Sequence, residues 1–375
     1  MGISISDSGI KISQGQITVG PAPPGYTLWA WGLNTIGRLG LGDTANRSSP
    51  VQIGALTDWS SVSVGGEHSI AIKTNGTLWS WGRGNDGRLG FGDTANRSSP
   101  VQIGALTDWS SVSVGYYHSL AIKTNGTLWG WGQNTSGQLG DGTFISRSSP
   151  VQIGALTTWA SASAGDIHSI ASKTTGELWA WGSGSDGRTG HGDTANRSSP
   201  VQIGSLTDWA SVSTGYFHSH AIKTDGTLWA WGSNGAGYLG DGTNVTRSSP
   251  VQIGSLSDWA SIGSGLKHTL AVKTDGTLWA WGLGSFGRLG DGTLVDRSSP
   301  VQIGALTNWA SVSVGYFHSH AIKTDGTLWA WGSNGAGYLG DGTTITKSSP
   351  VQLGALTDWA SVSVGYFHSH ALQSI

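Results

Sequence analysis

The sequence predicts an all-β protein: a seven-bladed β-propeller with four short antiparallel strands per blade. Three observations carry this. The motif SSPVQ begins at Ser48, Ser98, Ser148, Ser198, Ser248, Ser298 and Ser348, a repeat of 50 residues with no drift. Fixed periods of about 40–50 residues belong to propellers and solenoids. No stretch of about 10–12 residues shows the 3.6-residue helical period, which excludes the helical solenoids. Finally, each strand type occurs seven times: the His-Ser strand from His68 to His368, and the Leu-Trp strand from Leu28 to Leu328.

One unit, residues 208–257, supplies the strands in order. "DWASVSTG" is a β-branched run ending at Gly215, and "HSHAIKT" is the second strand. Asp225-Gly226 then predicts a type I′ hairpin turn. "TLWAWGSN" is the third strand and "GAGYLGDGT" a glycine-rich loop. "SSPVQIG" is a short fourth strand, with Pro250 expected at its start, where no ladder donor is lost. The chain enters at a third strand and leaves after a second. The strands near His368 are therefore expected to pair with the strand near Trp29, closing the ring and removing two raw sheet edges. Trp29 and Trp31 share one strand face, and Leu28 and Ala30 share the other. Both faces are apolar because each blade lies between two neighbours. The 21 tryptophans, three per unit, therefore read as inter-blade packing.

Residues 1–25 precede the propeller at 26–375 and form a separate arm. "ISISDSG", "IKISQGQ" and "ITVGPAP" repeat every seven residues, aligning Ile3, Ile10 and Ile17, and likewise Ile5, Ile12 and Val19. "PAPPG" is a stiff spacer. Strands this short bury too little surface to stand alone. These six residues are expected to dock the arm on a protein partner by strand addition.

Composition narrows the chemistry. There is no cysteine, hence no disulfide and no cysteine metal site. Net charge is −2 with 11% charged residues and no basic stripe, so no nucleic-acid partner is expected. No run reaches the roughly 18 apolar residues of a membrane span, and the N-terminus lacks a basic–apolar signal pattern. These patterns leave the setting open between virion and cytoplasm. The register-locked histidines at 68, 118, 168, 218, 268, 318 and 368 read as buried groups satisfying backbone partners once per blade. His218/His220, His318/His320 and His368/His370 offer two metal ligands each, but no acid recurs nearby to complete a site. The aspartates of "GDTANRSSP" (Asp43, Asp93, Asp193) lack the acidic spacing of a calcium loop and read as turn residues. Without a Ser-His-Asp set or a distinctive acid pair, no catalytic residue, metal or cofactor is expected, and the protein is read as a non-enzyme.

The repeats differ in three windows: after the tryptophan pair, after Leu-Gly, and before the histidine. All three lie between strands, where binding residues concentrate on rigid scaffolds. Tyr116, Tyr117, Tyr216, Phe217, Tyr316, Phe317, Tyr366 and Phe367 are the expected recognition residues, since aromatic tips among Asn, Ser and Gly suit protein or glycan ligands.

"SVSVGYFHSHAIKTDGTLWAWGSNGAGYLGDG" resembles the repeat of the regulator of chromosome condensation family, through Gly-x-x-His-Ser, the Asp/Asn-Gly hairpin, Trp-Gly-x-Asn-x-x-Gly and Leu-Gly. The resemblance covers residues 26–375 and implies a seven-bladed propeller. The family includes a nucleotide exchange factor for the Ran GTPase, a plant ultraviolet-B receptor and a secreted β-lactamase inhibitor. The light receptor's Gly-Trp-Arg-His-Thr signature is absent here, and no functional residue carries over. Fold alone does not assign function. The arm-plus-propeller plan is also similar to fibre and decoration proteins of bacteriophages. A virion component displaying its loops for host recognition is therefore the leading expectation. A soluble regulator, either a GTPase exchange factor or a protein inhibitor, is the alternative.

Overall fold

The computed structural model describes residues 10–13, 16–19 and 25–375. From Tyr26 onward the chain forms seven four-stranded antiparallel sheets around a central channel. In blade 2 the strands run from the channel outward as Trp59–Val64, His68–Lys73, Leu78–Gly82 and Arg97–Gln102. Blades 3 to 7 repeat this order every 50 residues. Blade 1 is composite: Trp359–Val364 and His368–Gln373 come from the C-terminal end, Thr27–Gly32 and Arg47–Gln52 from the N-terminal end. Thr27 pairs with Gln373 and Gly32 with His368, so the ring closes as the strand count requires.

Two local expectations are corrected. The Asp225-Gly226 hairpin is not type I′, because only Gly226 has positive φ (+80°). Lys223 N–H bonds the Thr227 carbonyl, and Gly226 N–H bonds that of Lys223, giving a three-residue loop that ends in a left-handed glycine. The same loop forms at Thr175-Gly176, so it does not depend on an aspartate. Where Asp225 is present its Oδ1 accepts from both the backbone and the hydroxyl of Thr227, at 2.9 and 2.7 Å, a local bond that supports the loop. Pro250 is not at the strand start either, but fourth in Arg247–Gln252. The register jumps there, from Ala230 opposite Val251 to Gly232 opposite Arg247. Proline is tolerated inside the strand because it lies in this bulge on an edge strand.

Seven apolar clusters hold the ring, one at each blade interface. Leu28, Ala30, Leu39 and Ile53 of blade 1 meet Trp59, Ala71 and Trp81 of blade 2. Trp31 faces the other way, onto Ile322, Leu328 and Ala330 of blade 7. Its Nε1 donates to the Tyr338 carbonyl at 3.1 Å, and each equivalent tryptophan repeats this bond to the preceding blade's loop.

The seven histidines make a second ring, and their partners are not backbone groups. His68 Nε2 meets Ser119 Oγ of the next blade at 2.9 Å, and the pattern continues round to His368 and Ser69. The Ser69 hydroxyl itself donates to the Arg38 carbonyl, so the histidine donates from Nε2, and the buried Nδ1 without a partner favours the neutral ring over an imidazolium with a second buried N–H. Burial agrees: desolvation pushes all seven imidazoles below their ordinary range, His118 to about 3.

In the arm, Ile10–Ser13 and Gln16–Val19 pair as an antiparallel hairpin, with Ile10 opposite Val19 and Ile12 opposite Ile17. Ile3 and Ile5 lie outside the described residues.

Candidate functional site

The register decides where each loop emerges. Val64 pairs with Ser69, His68 with Gly82 and Gly82 with Arg97, so these residues share one end of the blade. The loops after the first and third strands therefore open on one face of the ring. Those loops contain all three windows in which the repeats differ. The second-to-third-strand hairpins and the links between blades open on the opposite face, where the repeats hardly differ.

On the variable face the eight predicted aromatics form one connected cluster over the channel mouth. Tyr366 reaches across from blade 1, with ring centroids 4.4 Å from both Tyr116 and Tyr316 and 6.0 Å from Tyr216. Tyr117, Phe217 and Phe317 stack edge-on against their preceding tyrosines at 4.1 Å. Phe367 joins through Phe317 at 6.2 Å. Gly66 makes room: a Cβ there would fall 1.9 Å from the Tyr116 ring, which occupies the slot blade 2 leaves open. Burial raises the Tyr116 hydroxyl to about 12, so it is uncharged at neutral pH.

Buried arginines support the outer aromatics from below. Arg88, Arg188 and Arg288 each place a guanidinium 5.1–5.3 Å from the ring of Tyr117, Phe217 and Phe317 on the next blade. Arg88 is also paired with Asp86 at 2.9 Å, and Arg188 with Asp186 at 3.1 Å. Arg38 is the exception. Blade 2 offers it Glu67 in place of an aromatic, and Arg83 already binds that carboxylate twice, at 2.8 and 3.0 Å. Arg38 Nε and Nη1 are buried without a partner, and desolvation lowers its pKa.

Asp166 is the other departure from symmetry. It occupies the column that reads Gly66, Tyr116, Asp166, Tyr216, Leu266, Tyr316 and Tyr366, and it is 5% exposed. Desolvation raises it to about 7, against the opposing pull of Arg188 and Tyr216. Farther out, the loops of blades 3, 5, 6 and 7 present exposed Phe144, Ile145, Val245, Leu294, Val295 and Ile345. The equivalent loops of blades 1, 2 and 4 instead carry the exposed pairs Arg47–Asp43, Arg97–Asp93 and Arg197–Asp193.

Sequence reasoning placed the aromatics in loops but assigned no role to the arginines, Asp166 or the outer apolar tips. The column from Gly66 to Tyr366 contains the signal for Asp166, as its single acid. The second histidines, His220, His320 and His370, pack on the next blade's tryptophan ring at 5.4–5.6 Å.

Comparison with known proteins places this architecture. The RCC1-like domain matches residues 146–374, and the regulator of chromosome condensation (RCC1) repeat matches residues 27–72 and 75–122. A comparison with curated proteins returns no match. Among solved structures, human WBSCR16 is similar at 22% identity and a TM-score of 0.84, over 93% of this chain and 99% of that one. Prp20p from Saccharomyces cerevisiae is similar at 20% identity and a TM-score of 0.83, over 94% and 92% of the two chains. These likenesses are of fold. With the family domain matched over more than half its length, the chain belongs to the regulator of chromosome condensation family of repeat propellers.

Proposed function

We propose that the protein is a regulatory propeller that binds a protein partner through its variable face. One observation carries this: every window in which near-identical repeats diverge opens at the same end of the blades. A rigid ring with one varied surface is a binding scaffold. The cluster is rich in tyrosine and phenylalanine over arginine, residue types that dominate protein-interface energetics. The similar yeast protein is described by its binding to Gsp1p and histones, and in another structure it is bound to Kap60. These relatives favour a regulator over a virion component, and nothing in them supports the particle reading. We propose no catalytic residue.

The test compares two sets of substitutions for capture of proteins from source extract. Tyr117→Ala with Phe217→Ala, Phe317→Ala and Phe367→Ala removes the outer aromatics of the variable face. Leu56→Ser with Leu206→Ser and Leu356→Ser alters the opposite face. Loss of a partner from the first variant and its retention on the second is the expected result. The reverse pattern overturns the reading.

A second element of the proposal is the arm. The pairing of Ile10 with Val19 and Ile12 with Ile17 gives a two-stranded ribbon with apolar positions in register. Such a ribbon is marginal alone, and it serves as a docking segment. Deleting residues 1–25 is expected to leave propeller stability unchanged and to weaken partner capture.

A further inference from the structure

The central channel is a cavity of about 270 Å³, close to the lower end of small-molecule pockets at roughly 300 Å³. Tyr116, Asp166, Tyr216 and Tyr366 line its variable-face end. Asp166 Oδ1 is buried with no hydrogen-bond partner, and so is the Tyr366 hydroxyl. The nearest cation does not satisfy the carboxylate. Arg188 is committed to Asp186 at 3.1 Å, to the Ser185 carbonyl at 2.9 Å and to the Tyr216 carbonyl at 3.5 Å. The Tyr216 hydroxyl is the one side chain that draws on the carboxylate as a hydrogen-bond donor, and Oδ1 remains unpartnered. A buried carboxylate oxygen without a partner is costly, and six of the seven blades avoid an acid at this position.

We propose that the channel mouth binds an alkylammonium group, with its charge on the Asp166 carboxylate and its methylenes against Tyr116, Tyr216 and Tyr366. The three rings converge, with centroids 4.4–6.3 Å from one another, and a cation is attracted to such a ring within about 6 Å of its centroid. A hard metal ion does not suit the same walls. Calcium takes about 6–8 oxygen ligands, and among the described residues no three His, Cys, Asp or Glu side chains cluster. One carboxylate among aromatic faces is the donor set of an organic cation.

The groups facing Asp166 determine its pH response. Arg188 comes from its own blade, Tyr117 and the neutral His118 from blade 3, Tyr216 from blade 5 and Tyr366 from blade 1. The histidine and these tyrosines are uncharged at neutral pH, so among these titrating groups Asp166 alone changes charge between pH 6 and 8. A cation prefers the ionised carboxylate. With Asp166 titrating at about 7, affinity is expected to rise about tenfold from pH 6 to pH 8.

The experiment is calorimetric titration of the full chain with n-butylammonium chloride, with n-butanol as the neutral control. At pH 8 the wild type is expected to show saturable binding with a Kd on the order of 1 mM. Asp166→Asn is expected to weaken it at least about tenfold, with the thermal midpoint retained as the check on folding. Binding is expected to fall at pH 6 and to be absent with n-butanol. Partner capture repeated in excess butylammonium separates the two sources of such a group. Competition assigns the site to a lysine side chain of the partner, and unchanged capture to a free amine. No saturable heat with wild type at pH 8, or equal binding by folded Asp166→Asn, overturns the proposal.

Discussion

The two faces of the ring obey different rules. On the constant face one solution recurs with little change. Lys73 lies 4.5 Å from the Trp79 ring and 5.0 Å from Trp59, and pairs with Asp58 at 3.2 Å. Lys123, Lys223 and Lys273 repeat it with Asp108, Asp208 and Asp258. Even the closing blade, which has Gln373 in place of lysine, preserves the link to Asp358 at 3.0 Å. On the variable face the same backbone carries Gly66, Tyr116, Asp166 or Leu266 at one position, and two buried charges there lack a full set of partners. The indole bond to the preceding blade and the histidine–hydroxyl bond to the next recur in all seven blades, whereas Arg38 and Asp166, which differ from their equivalents, are each left with unpartnered buried atoms. One feature of the constant face stands outside this rule. Leu56, Leu106, Leu156, Leu206, Leu256, Leu306 and Leu356 are all nearly half exposed.

The sharpest challenge to this division is acid, because the histidine ring belongs to the scaffold and should fail before the faces do. A histidine depressed in the native state takes up protons more readily when unfolded. Stability is therefore full above about pH 6.5 and falls below it, by about 1.4 kcal/mol per pH unit per histidine. The seven ring histidines with His220, His320 and His370 make ten such groups. Near-ultraviolet circular dichroism of the tryptophans is expected to collapse between about pH 6 and 4. A native signal retained at pH 4 would break the account of the ring.

Single substitutions should then rank by face. Trp331→Ala opens a cavity between blades 6 and 7 and removes the bond to Arg288, costing about 3–5 kcal/mol in urea unfolding. Asn334→Ala frees the loop that its side chain ties to Asp341 and to the Leu339 amide, costing about 1–3 kcal/mol. Phe217→Ala on the variable face should cost only about 1 kcal/mol while removing partner binding. If it costs as much as Trp331→Ala, the aromatics are scaffold and the comparison fails. The smallest effect is a gain. Glu177 stands where six blades have threonine, leaving Trp179 Nε1 without the hydroxyl that Trp79 and its equivalents bond. Glu177→Thr should raise stability by about 0.5–1.5 kcal/mol.

The scaffold was legible because it is written seven times. The period, the closing blade and the tryptophan interfaces all follow from strand counting and two-residue alternation. Less was legible in the local geometry. The Asp225-Gly226 turn takes the same three-residue loop as Thr175-Gly176, which a dipeptide rule does not anticipate. The histidine partner was missed because Ser119 is supplied by the next blade, through closure rather than through neighbouring sequence. The mouth was half visible. Its aromatics stood out as loop residues, but the burial of Asp166 arises only when tyrosines from blades 1, 3 and 5 converge on it.

The central claim is that the varied face works and the constant face supports. Amide hydrogen exchange of the full chain, with and without its captured partner, tests it most directly. The account predicts new protection in the loops at 65–67, 115–117, 215–217, 315–317 and 365–367 and in the outer loops at 141–146, 241–246, 291–296 and 341–346. Protection confined to the hairpins at 74–77 and their equivalents, and to the leucine-bearing links at 54–58 and theirs, would contradict it.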